Sequence, residues 1–339
     1  KYYASASYTN DQGIMWQNEN NKLNFRVKFD AKLSPKASFG TNVSATYSGA
    51  TRPYNNFIDF YRTPSFLPLY HTDWSTALTG YKGYARGSHF NNIETPTGSP
   101  DEFGNPTWEK SSPFSSANNN PRNVMDNTFR SSETFQSVGS FYFTYDILPG
   151  LQFKSSNGYN VKFSPSYYYL NADAVKDDIA ATGYYGHSLY VDLLTENTLT
   201  YDFKRGRHNL NLLAGYTLQS TRRDDVDMLG TGFATDDIQT LNAATVFDID
   251  GTGTFKYPKK KLSSYLARAT YGYDERYLAS VSMRLDRSSL FTRGHRNAWF
   301  PSVSLGWRAS QEDFLKTVWW LSNLKLRGSY GVTGNNDID

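Results

Sequence analysis

The side chains best suited to binding chemistry are aromatic rings and polar groups in two stretches that lack a regular hydrophobic period. A ring offers a flat apolar surface for the face of a sugar, while Asp, Asn and Arg side chains hydrogen-bond hydroxyl groups. The residues predicted to bind a substrate are Tyr54, Tyr70, Asp73, Trp74, Tyr81, Tyr84 and Trp108 in the first stretch, and Tyr184 and Tyr185 in the second. Such rings also pack loops together or contact a partner protein, and the sequence leaves that alternative open.

No catalytic constellation accompanies these residues. The sequence contains no cysteine, which excludes disulfides, thiolate metal sites and a cysteine nucleophile. The five histidines are far apart and form no i, i+4 pair, and no Gly-x-Ser-x-Gly elbow occurs. Asp248-Ile249-Asp250-Gly251 resembles the start of a calcium loop, but Lys259 stands where a bidentate Glu is required. We therefore expect a protein that is not an enzyme, with no metal site and no cofactor.

The composition is polar and yet rich in large rings. Among 339 residues, aromatics make up 16% and charged residues 20%, and this aromatic content argues against disorder. A net charge of +3 is too small to indicate a nucleic-acid partner. No run of about 18 apolar residues occurs, so no transmembrane helix is predicted. The sequence begins at Lys1 without a signal-peptide pattern, and we expect a processed product or a fragment.

The elements that would position the binding residues show a period of two. In residues 22–33, Leu23, Phe25, Val27, Phe29, Ala31 and Leu33 alternate without a miss with polar and charged residues. A strand here has one apolar and one charged face. Ser34-Pro35-Lys36 ends the strand, and the alternation resumes over residues 37–47. The two segments predict an antiparallel hairpin.

The same unit recurs along the chain. Four further hairpins are predicted over residues 135–147 and 151–163, 193–203 and 210–218, 265–273 and 277–285, and 299–309 and 324–332. With residues 2–8 at the front, the count is eleven strands. The links within hairpins are mostly short, whereas the links between them run over residues 49–127, 164–189 and 221–261. Short turns at one end and long polar loops at the other are typical of outer-membrane barrels.

Strand length and charge distribution favour a membrane barrel over a soluble β-sandwich. Globular strands usually run about 5 to 6 residues, whereas a tilted membrane strand needs about 9 to 11. Residues 22–33 and 151–163 exceed that requirement, and the apolar faces of the best strands carry no charge. The predicted fold class is therefore all-β, a transmembrane antiparallel β-barrel with long extracellular loops and short periplasmic turns. Rings at strand ends would also suit a sandwich core, which is the alternative.

The polar faces of these strands carry more basic than acidic residues. The residues predicted to face the lumen or a plug are Arg26, Lys28, Arg268, Arg284, Arg308, Lys325 and Arg327. A basic lumen suits an anionic solute or an acidic protein part that fills it. Charges that only keep a wide pore hydrated would give the same pattern. Because bacterial single-chain barrels have an even number of strands, eleven implies that residues 49–127 hide strands or that the chain is a piece of a larger barrel.

The C-terminal residues form a specific motif. Trp299-Phe300-Pro301-Ser302-Val303-Ser304 is followed by Leu324-Lys325-Leu326-Arg327-Gly328-Ser329-Tyr330-Gly331-Val332-Thr333-Gly334-Asn335-Asn336, and Arg62-Thr63-Pro64 occurs in the first long stretch. Together these segments resemble the SusC/RagA family of TonB-dependent outer-membrane transporters. The resemblance implies a barrel of about 22 strands with a plugged lumen. Residues 1–339 would then be a partial barrel domain of about 11 strands without the plug domain and the C-terminal strands, and residues 49–127 a long extracellular loop region.

The resemblance also implies a function and partners. The complete protein would import a nutrient too large for porins, an oligosaccharide or a peptide, across the outer membrane of a Gram-negative bacterium. It would act with a SusD-like surface lipoprotein, with TonB through the plug region, and in a lipid bilayer containing lipopolysaccharide; no nucleic acid is expected. The alternatives are a TonB-dependent receptor for a metal chelate or siderophore and, from another class, a soluble β-rich adhesion or scaffold protein.

Overall fold

The computed structural model describes residues 1–53, 57–78, 85–90, 93–111, 120–174, 180–292, 294–316 and 318–335. The strands in these ranges are β1 (Tyr2–Gln12), β2 (Glu19–Lys32), β3 (Ala37–Thr51), β4 (Ile93–Pro100), β5 (Pro106–Ser111), β6 (Thr128–Leu148), β7 (Leu151–Leu170), β8 (Thr182–Arg205), β9 (His208–Thr231), β10 (Val246–Phe247), β11 (Gly253–Lys256), β12 (Lys260–Tyr273), β13 (Tyr277–Ser288), β14 (Asn297–Trp307) and β15 (Leu326–Gly331). The helices are α1 (Phe57–Arg62), α2 (Asp73–Leu78) and α3 (Pro121–Asp126), with single 3₁₀ turns at Ala172–Ala174, Leu241–Ala243 and Ala309–Gln311. No helix within these ranges is both long and apolar enough to cross a membrane.

Eleven of the described strands form one continuous antiparallel path. Their order is β1-β2-β3-β6-β7-β8-β9-β12-β13-β14-β15, which follows the order along the chain, with β4 and β5 intervening between β3 and β6 and β10 and β11 between β9 and β12. The short strands β10 and β11 both pair with β9 beside this path. These eleven correspond one to one with the strands predicted from alternation, and the all-β prediction is confirmed. The segment between β3 and β6 does contain strands, but β4 and β5 pair with each other in a separate two-stranded sheet. They therefore do not change the eleven-strand count of the path.

The register keeps most of the apolar residues of the path on one face, which we call the apolar face. We call the opposite face the polar face, although it also carries a few apolar residues such as Val138, Leu194 and Leu266. One row across the sheet pairs Leu23 with Tyr47, Tyr47 with Phe135, and Phe135 with Phe163. Four strands contribute to this row and each contributes an apolar or aromatic residue. Because side chains alternate along a strand, a slip of one residue would move a whole strand's apolar set to the polar face.

The apolar face is not covered by other parts of the described chain. Leu23, Tyr47 and Phe135 are each about half exposed, although a soluble sandwich would bury them against a second sheet. The buried hydrophobic residues lie instead in the connecting segments or at strand ends beside them, for example Phe90 and Val124. An extended apolar face of this size requires an apolar solvent or a partner, as expected for a barrel in lipid.

The central strands are longer than a membrane crossing requires. β8 and β9 have 24 residues each, whereas a tilted crossing takes about 9 to 11. The excess lies at the end with the long connections. There the apolar face of β9 carries Arg222 and Asp224, which form an ion pair, whereas nearer the tight turns the same face carries Leu218 and Tyr216. Residues 164–189 and 221–261, predicted as loops, are therefore strand in large part. The backbone hydrogen bonds between the strands therefore continue beyond the point where apolar and polar side chains stop alternating.

The opposite end is closed by tight turns. Gly150 lies in the β6–β7 turn with φ of 81°, and a Cβ atom there would collide with the carbonyl oxygen of Asp202. Only glycine fits this combination of backbone angle and close approach. Asp274 and Glu275 lie in the three-residue β12–β13 connection with left-handed φ of 52° and 56°, and Arg276 donates its backbone N–H to the carbonyl oxygen of Tyr273 at 2.9 Å. These turns fix the register from which both faces follow.

Within the polar face, Gly40 makes room for a cross-strand hydrogen bond. Its neighbours in the ladder are Asp30 on β2 and Tyr142 on β6. The Tyr142 ring lies over Gly40, and its hydroxyl donates to Oδ1 of Asp30 at 2.8 Å. A Cβ atom on residue 40 would collide with the Tyr142 ring. The glycine therefore lets a side chain tie together two strands that are not adjacent.

We expect Gly40→Ala in the complete protein to lower the free energy of unfolding by about 1–3 kcal/mol, the range for an overpacked site. The measurement is the heat- or denaturant-induced unfolding midpoint of the barrel in detergent. The matched control is Gly158→Ala, because Gly158 lies on the same face and an added Cβ meets its nearest neighbours at an ordinary 3.8 Å. Equal midpoints for the two variants would contradict the role assigned to Gly40.

Candidate functional site

The long outer loop, residues 52–127, has a small buried centre built around Asn120. Asn120 is completely buried and its amide nitrogen donates to the carbonyl oxygens of Leu69 at 2.7 Å and Phe90 at 3.0 Å. Its side-chain oxygen accepts from the backbone nitrogen of Arg122 at 3.0 Å, which caps α3. One side chain thus joins three separate parts of the loop. These bonds hold α3 against the segment that carries Tyr70.

A second contact set converges on the carboxylate of Asp126. Oδ2 of Asp126 lies 2.8 Å from Nε2 of His89 and accepts a hydrogen bond from Nε of Arg122 at 2.8 Å. The hydroxyl of Tyr70 reaches the same oxygen at 3.5 Å, and the Tyr70 ring centroid is 5.3 Å from that of His89. We call Tyr70, His89, Arg122 and Asp126 the outer-loop cluster. It joins α3 to the segment around Tyr70 by charge-assisted bonds.

The outer-loop cluster also contacts the β1–β2 connection. The guanidinium carbon of Arg122 lies 4.1 Å from the centre of the Trp16 ring, a cation–π contact. Nε2 of Gln17 donates to the carbonyl oxygen of Met125 at 2.8 Å. The long outer loop is therefore fastened to the first hairpin of the path, and its position relative to the barrel rim is defined.

Electrostatics in the loop favours an ionised Asp126 and a neutral His71. Burial raises the pKa of Asp126, but hydrogen bonds from His89 and Arg122 and the charge of Arg122 outweigh it, and the net pKa lies below the ordinary value. Burial lowers the pKa of His71, whose Nδ1 lies 3.2 Å from the hydroxyl of Ser75. The outer-loop cluster therefore keeps its central negative charge well below neutral pH.

The predicted binding residues of the first stretch fall into different environments. Tyr70 belongs to the outer-loop cluster, whereas Asp73 begins α2 and pairs with Arg86 at 3.3 Å, both side chains being largely exposed. Trp74 is 69% exposed, and Trp108 lies partly exposed on β5. Tyr54, Tyr81 and Tyr84 lie outside the described residues. Substrate contact by this set stays a prediction.

The two predicted tyrosines of β8 point to opposite sides of the sheet. Tyr184 lies on the polar-face side, where its ring stacks on Tyr168 at 5.0 Å and 11° and its hydroxyl donates to Oδ1 of Asp227 at 2.5 Å. Tyr185 lies on the other side, with its ring centroid 5.9 Å from that of His187. Of the two, only Tyr184 belongs to the surface that continues upward from the lumen.

That surface carries polar residues, several of them in segments which the sequence had assigned to loops. Asp192 accepts from the Gln219 amide at 3.1 Å and the Thr221 hydroxyl at 2.6 Å. Higher up, Arg223 pairs with Asp225 at 2.8 Å. We call the polar-face side of the outer halves of β7, β8 and β9 the mouth surface; it includes Tyr168, Tyr184, Asp192, Arg223, Asp225 and Asp227. In the sequence, the run Arg223-Asp224-Asp225 indicates a polar region but not that its members alternate between faces.

The basic residues predicted to face the lumen lie on or next to the polar face. By register, Arg26, Lys28, Arg268, Arg284 and Arg327 occupy polar-face positions of β2, β12, β13 and β15. Arg308 and Lys325 follow β14 and precede β15 at the tight-turn end, and Arg308 lies 3.9 Å from the carboxylate of Glu275. Several are neutralised locally, as Arg284 is by Asp286 at 2.6 Å. Contact with a plug or an anionic solute stays a prediction.

The described residues offer binding chemistry through rings, carboxylates and amides. Among them, no three His, Asp or Glu side chains come together in a way that could hold a metal ion. Neither the outer-loop cluster nor the mouth surface places a nucleophile next to a base with an orienting third group, as covalent catalysis requires. In the part of the chain that the structure describes, the rings, carboxylates and amides of the outer-loop cluster and the mouth surface are groups suited to recognition.

We expect Asp126→Asn in the complete protein to loosen the outer loop, because the neutral amide oxygen accepts weaker hydrogen bonds from His89 and Arg122 than the carboxylate does. Backbone hydrogen exchange in residues 85–90 and 120–127 should accelerate about fivefold, equivalent to about 1 kcal/mol for a partly exposed carboxylate. The control is Asp73→Asn, which removes only an exposed ion pair.

The same exchange measurement gives a pH dependence. Since the pKa of Asp126 is lowered by folding, its stabilising effect is present above the ordinary Asp value of about 3.9 and is lost as pH falls through the lower folded value. Wild-type protection in residues 85–90 should fall there, and the Asp126→Asn variant should lack that step. A step of equal size in both proteins would contradict the assignment.

The whole chain is similar in sequence to TonB-dependent receptors. It is 27% identical over 348 residues to TonB-dependent receptor P39 of Formosa agariphila, covering 100% of this chain and 30% of that receptor. It is 27% identical over 368 residues to TonB-dependent receptor SusC of Bacteroides thetaiotaomicron, covering 99% of this chain and 32% of SusC. The chain thus spans about a third of the length of these relatives. No family model matches it.

The fold is similar to that of a solved transporter. The structure of the RagAB peptide transporter superposes with a TM-score of 0.73 at 20% identity, covering 99% of this chain and 35% of that chain. The RagAB peptide importer in its open-open state gives 0.73 at 21% identity, covering 100% and 35%. The eleven-strand path is accordingly part of a larger barrel. Together with the similarity to SusC over 99% of this chain, the comparison supports the resemblance carried by the C-terminal motif: the chain is similar to the barrel portion of TonB-dependent receptors of the SusC/RagA type.

Proposed function

We propose that the complete receptor imports a nutrient too large for porins, an oligosaccharide or a peptide, across the outer membrane with energy delivered by TonB. The observation that carries this proposal is the similarity of the entire chain to SusC and other TonB-dependent receptors. The apolar face supports it, since an uncovered sheet of this kind is stable in lipid. Import by such a receptor consists of binding and gated release, which agrees with a chain that offers recognition surfaces.

The mouth surface is the part of this proposal that the chain's own residues support best. Tyr168 and Tyr184 form a stacked pair, and a pair of parallel rings offers an apolar surface to a sugar ring or a peptide side chain. Farther along the same surface toward the lumen, Asp225 and then Asp192 provide acceptors for hydroxyl or amide hydrogens. A solute entering from the outer end of the barrel would meet these residues before it reached the basic lumen face.

The long outer loop supports the proposal of a SusD-like lipoprotein partner. Tyr61, Phe66 and Phe103 are each more than four-fifths exposed on this loop, and exposed rings are enriched where proteins associate. The outer-loop cluster holds part of that loop in a fixed place on the rim. A lid protein could therefore dock on a preformed surface, with little cost for ordering the loop.

The test at the level of the cell removes each partner in turn. Deleting the receptor gene, the neighbouring SusD-like lipoprotein gene or TonB should abolish growth on one polymeric sugar or peptide source while growth on its small components persists. Growth that is unchanged on every such source would contradict the proposal. Loss of growth only under iron limitation would instead indicate a receptor for a metal chelate.

At the level of residues, we expect Tyr184→Ala to weaken ligand binding by the purified receptor complex about threefold to tenfold, the equivalent of one lost ring contact. The measurement is a binding isotherm with the nutrient that the growth test identifies. The control is Ile238→Ala, because Ile238 is exposed in the loop that lies on the other side of the sheet, where Tyr167 bonds Gln239. Equal weakening by both variants would show that the mouth surface is not part of the binding site.

A further inference from the structure

The connection between β14 and β15 exposes large rings at the end where the other turns are short. In residues 312–316 and 318–321, which we call the connector, Trp319 is 93% exposed, Trp320 69% and Phe314 67%. The turns after β2, β6, β8 and β12 need only two to four residues. Three exposed rings in so short a segment are costly in water. They require an explanation that the proposed import function does not supply.

A carboxylate fixes the side of the barrel on which the connector begins. Glu312 accepts hydrogen bonds from the Tyr277 hydroxyl at 2.7 Å and from the Trp307 indole nitrogen at 3.0 Å. Tyr277 and Trp307 are paired residues of the apolar face, in the same row as Leu326. The side chain of Glu312 is only 13% exposed. The connector therefore leaves the sheet on its lipid-facing side and not on the side of the lumen.

The connector satisfies much of its backbone locally. Leu315 donates its backbone N–H to the carbonyl of Glu312 at 2.9 Å, Val318 to that of Leu315 at 3.1 Å, and Leu321 to that of Val318 at 3.0 Å. A segment with satisfied backbone groups can enter the boundary between headgroups and acyl chains at small cost. Leu315, Val318 and Leu321 are half-buried, which leaves Trp319 and Trp320 to the surroundings.

The adjoining surface is continuous with the apolar face. A groove of about 540 Å³ lies beside the connector's start and is lined by Tyr277, Leu305, Trp307 and Leu326. Lys316 follows Phe314 and pairs with Asp313 at 2.8 Å. Rings next to an apolar band are typical of the level between acyl chains and headgroups in a lipid leaflet.

We propose that the connector is an interfacial membrane anchor, in which Trp319 and Trp320 lie at the headgroup level of the phospholipid leaflet at the tight-turn end. Its occupant is the lipid surface itself. The aromatic band of the barrel thereby extends from the strand ends onto a connecting segment. The carboxylate of Glu312 is a positioning group, since it holds the start of the connector against Tyr277 and Trp307.

The experiment measures where residue 319 lies relative to a bilayer. The complete receptor, with any cysteine outside this chain replaced by serine, is reconstituted in phosphatidylcholine–phosphatidylglycerol vesicles. Because this chain has no cysteine, Trp319→Cys introduces one site for a nitroxide label. Its accessibility to oxygen, which partitions into lipid, should exceed its accessibility to a water-soluble nickel complex several-fold. A label that the nickel complex reaches freely would overturn the proposal.

Two matched positions calibrate the measurement. Ile249→Cys labels a residue that is 90% exposed at the outer end and should be open to the nickel complex. Val281→Cys labels the apolar face and should be open to oxygen. The inference rests on the membrane location in the proposed function. The label at Val281 tests that location independently of the anchor. Water access at Val281 would contradict the membrane location itself, whereas water access at Trp319 alone would contradict only the anchor.

A second measurement avoids the cysteine substitution. Brominated phospholipids quench tryptophan fluorescence within contact distance, so Trp319→Phe together with Trp320→Phe should remove a distinct part of the quenching seen in the wild-type receptor. Trp74→Phe in the outer loop is the control and should leave quenching unchanged.

In the nitroxide experiment, occlusion of residue 319 from both oxygen and the nickel complex would indicate a protein partner and overturn the lipid assignment.

Discussion

The backbone ladder of the eleven-strand path is the constraint on which the rest of the molecule depends. In a hydrocarbon environment every backbone N–H and C=O must be satisfied inside the protein, and antiparallel pairing does this while sending alternate side chains to opposite faces. The row from Leu23 through Tyr47 to Phe135 shows the consequence. One register assigns every residue a side, and the lumen, the lipid surface and the mouth surface are all products of that assignment.

The hydrogen-bonded pairing of β8 and β9 extends farther toward the outer end than the alternation of apolar and polar side chains does. β8 and β9 keep pairing to Thr182 and Thr231, but the apolar face loses its apolar residues at Arg222 and Asp224. Beyond that level lipid no longer selects for apolar side chains, so both sides of the strands can carry polar residues. The polar-face side becomes the mouth surface, and on the other side a loop covers the strands through the bond from Tyr169 to Asp236 at 2.6 Å. The outer halves thus have a rigidity that independent loops would lack.

The sequence predicts the strand segments in which lipid on one side selects for alternating apolar and polar residues. Strict alternation in residues 22–33 identifies β2 and its faces, and tight-turn residues such as Pro149-Gly150 identify the hairpins. The outer halves of β7, β8 and β9 escape detection because lipid no longer selects for alternation there: one side carries the mouth surface, a loop covers part of the other side, and the backbone hydrogen bonds remain. The outer-loop cluster escapes as well: His89 and Asp126 are 37 residues apart, and no spacing rule links residues that meet only through loop packing.

The two ends of the barrel use an ionised carboxylate in opposite surroundings. At the outer end, Asp126 gathers His89 and Arg122 and fastens a loop that faces water and the proposed partner. At the tight-turn end, Glu312 accepts from Tyr277 and Trp307, and hydrogen bonding from Tyr277 and Trp307 lowers the pKa of Glu312. Each carboxylate is held by donors from more than one element, so each turns a flexible connection into a fixed one. The difference lies in what the fixed segment then presents: exposed loop rings at one end, and at the other the rings of the connector beside the lipid-facing strands.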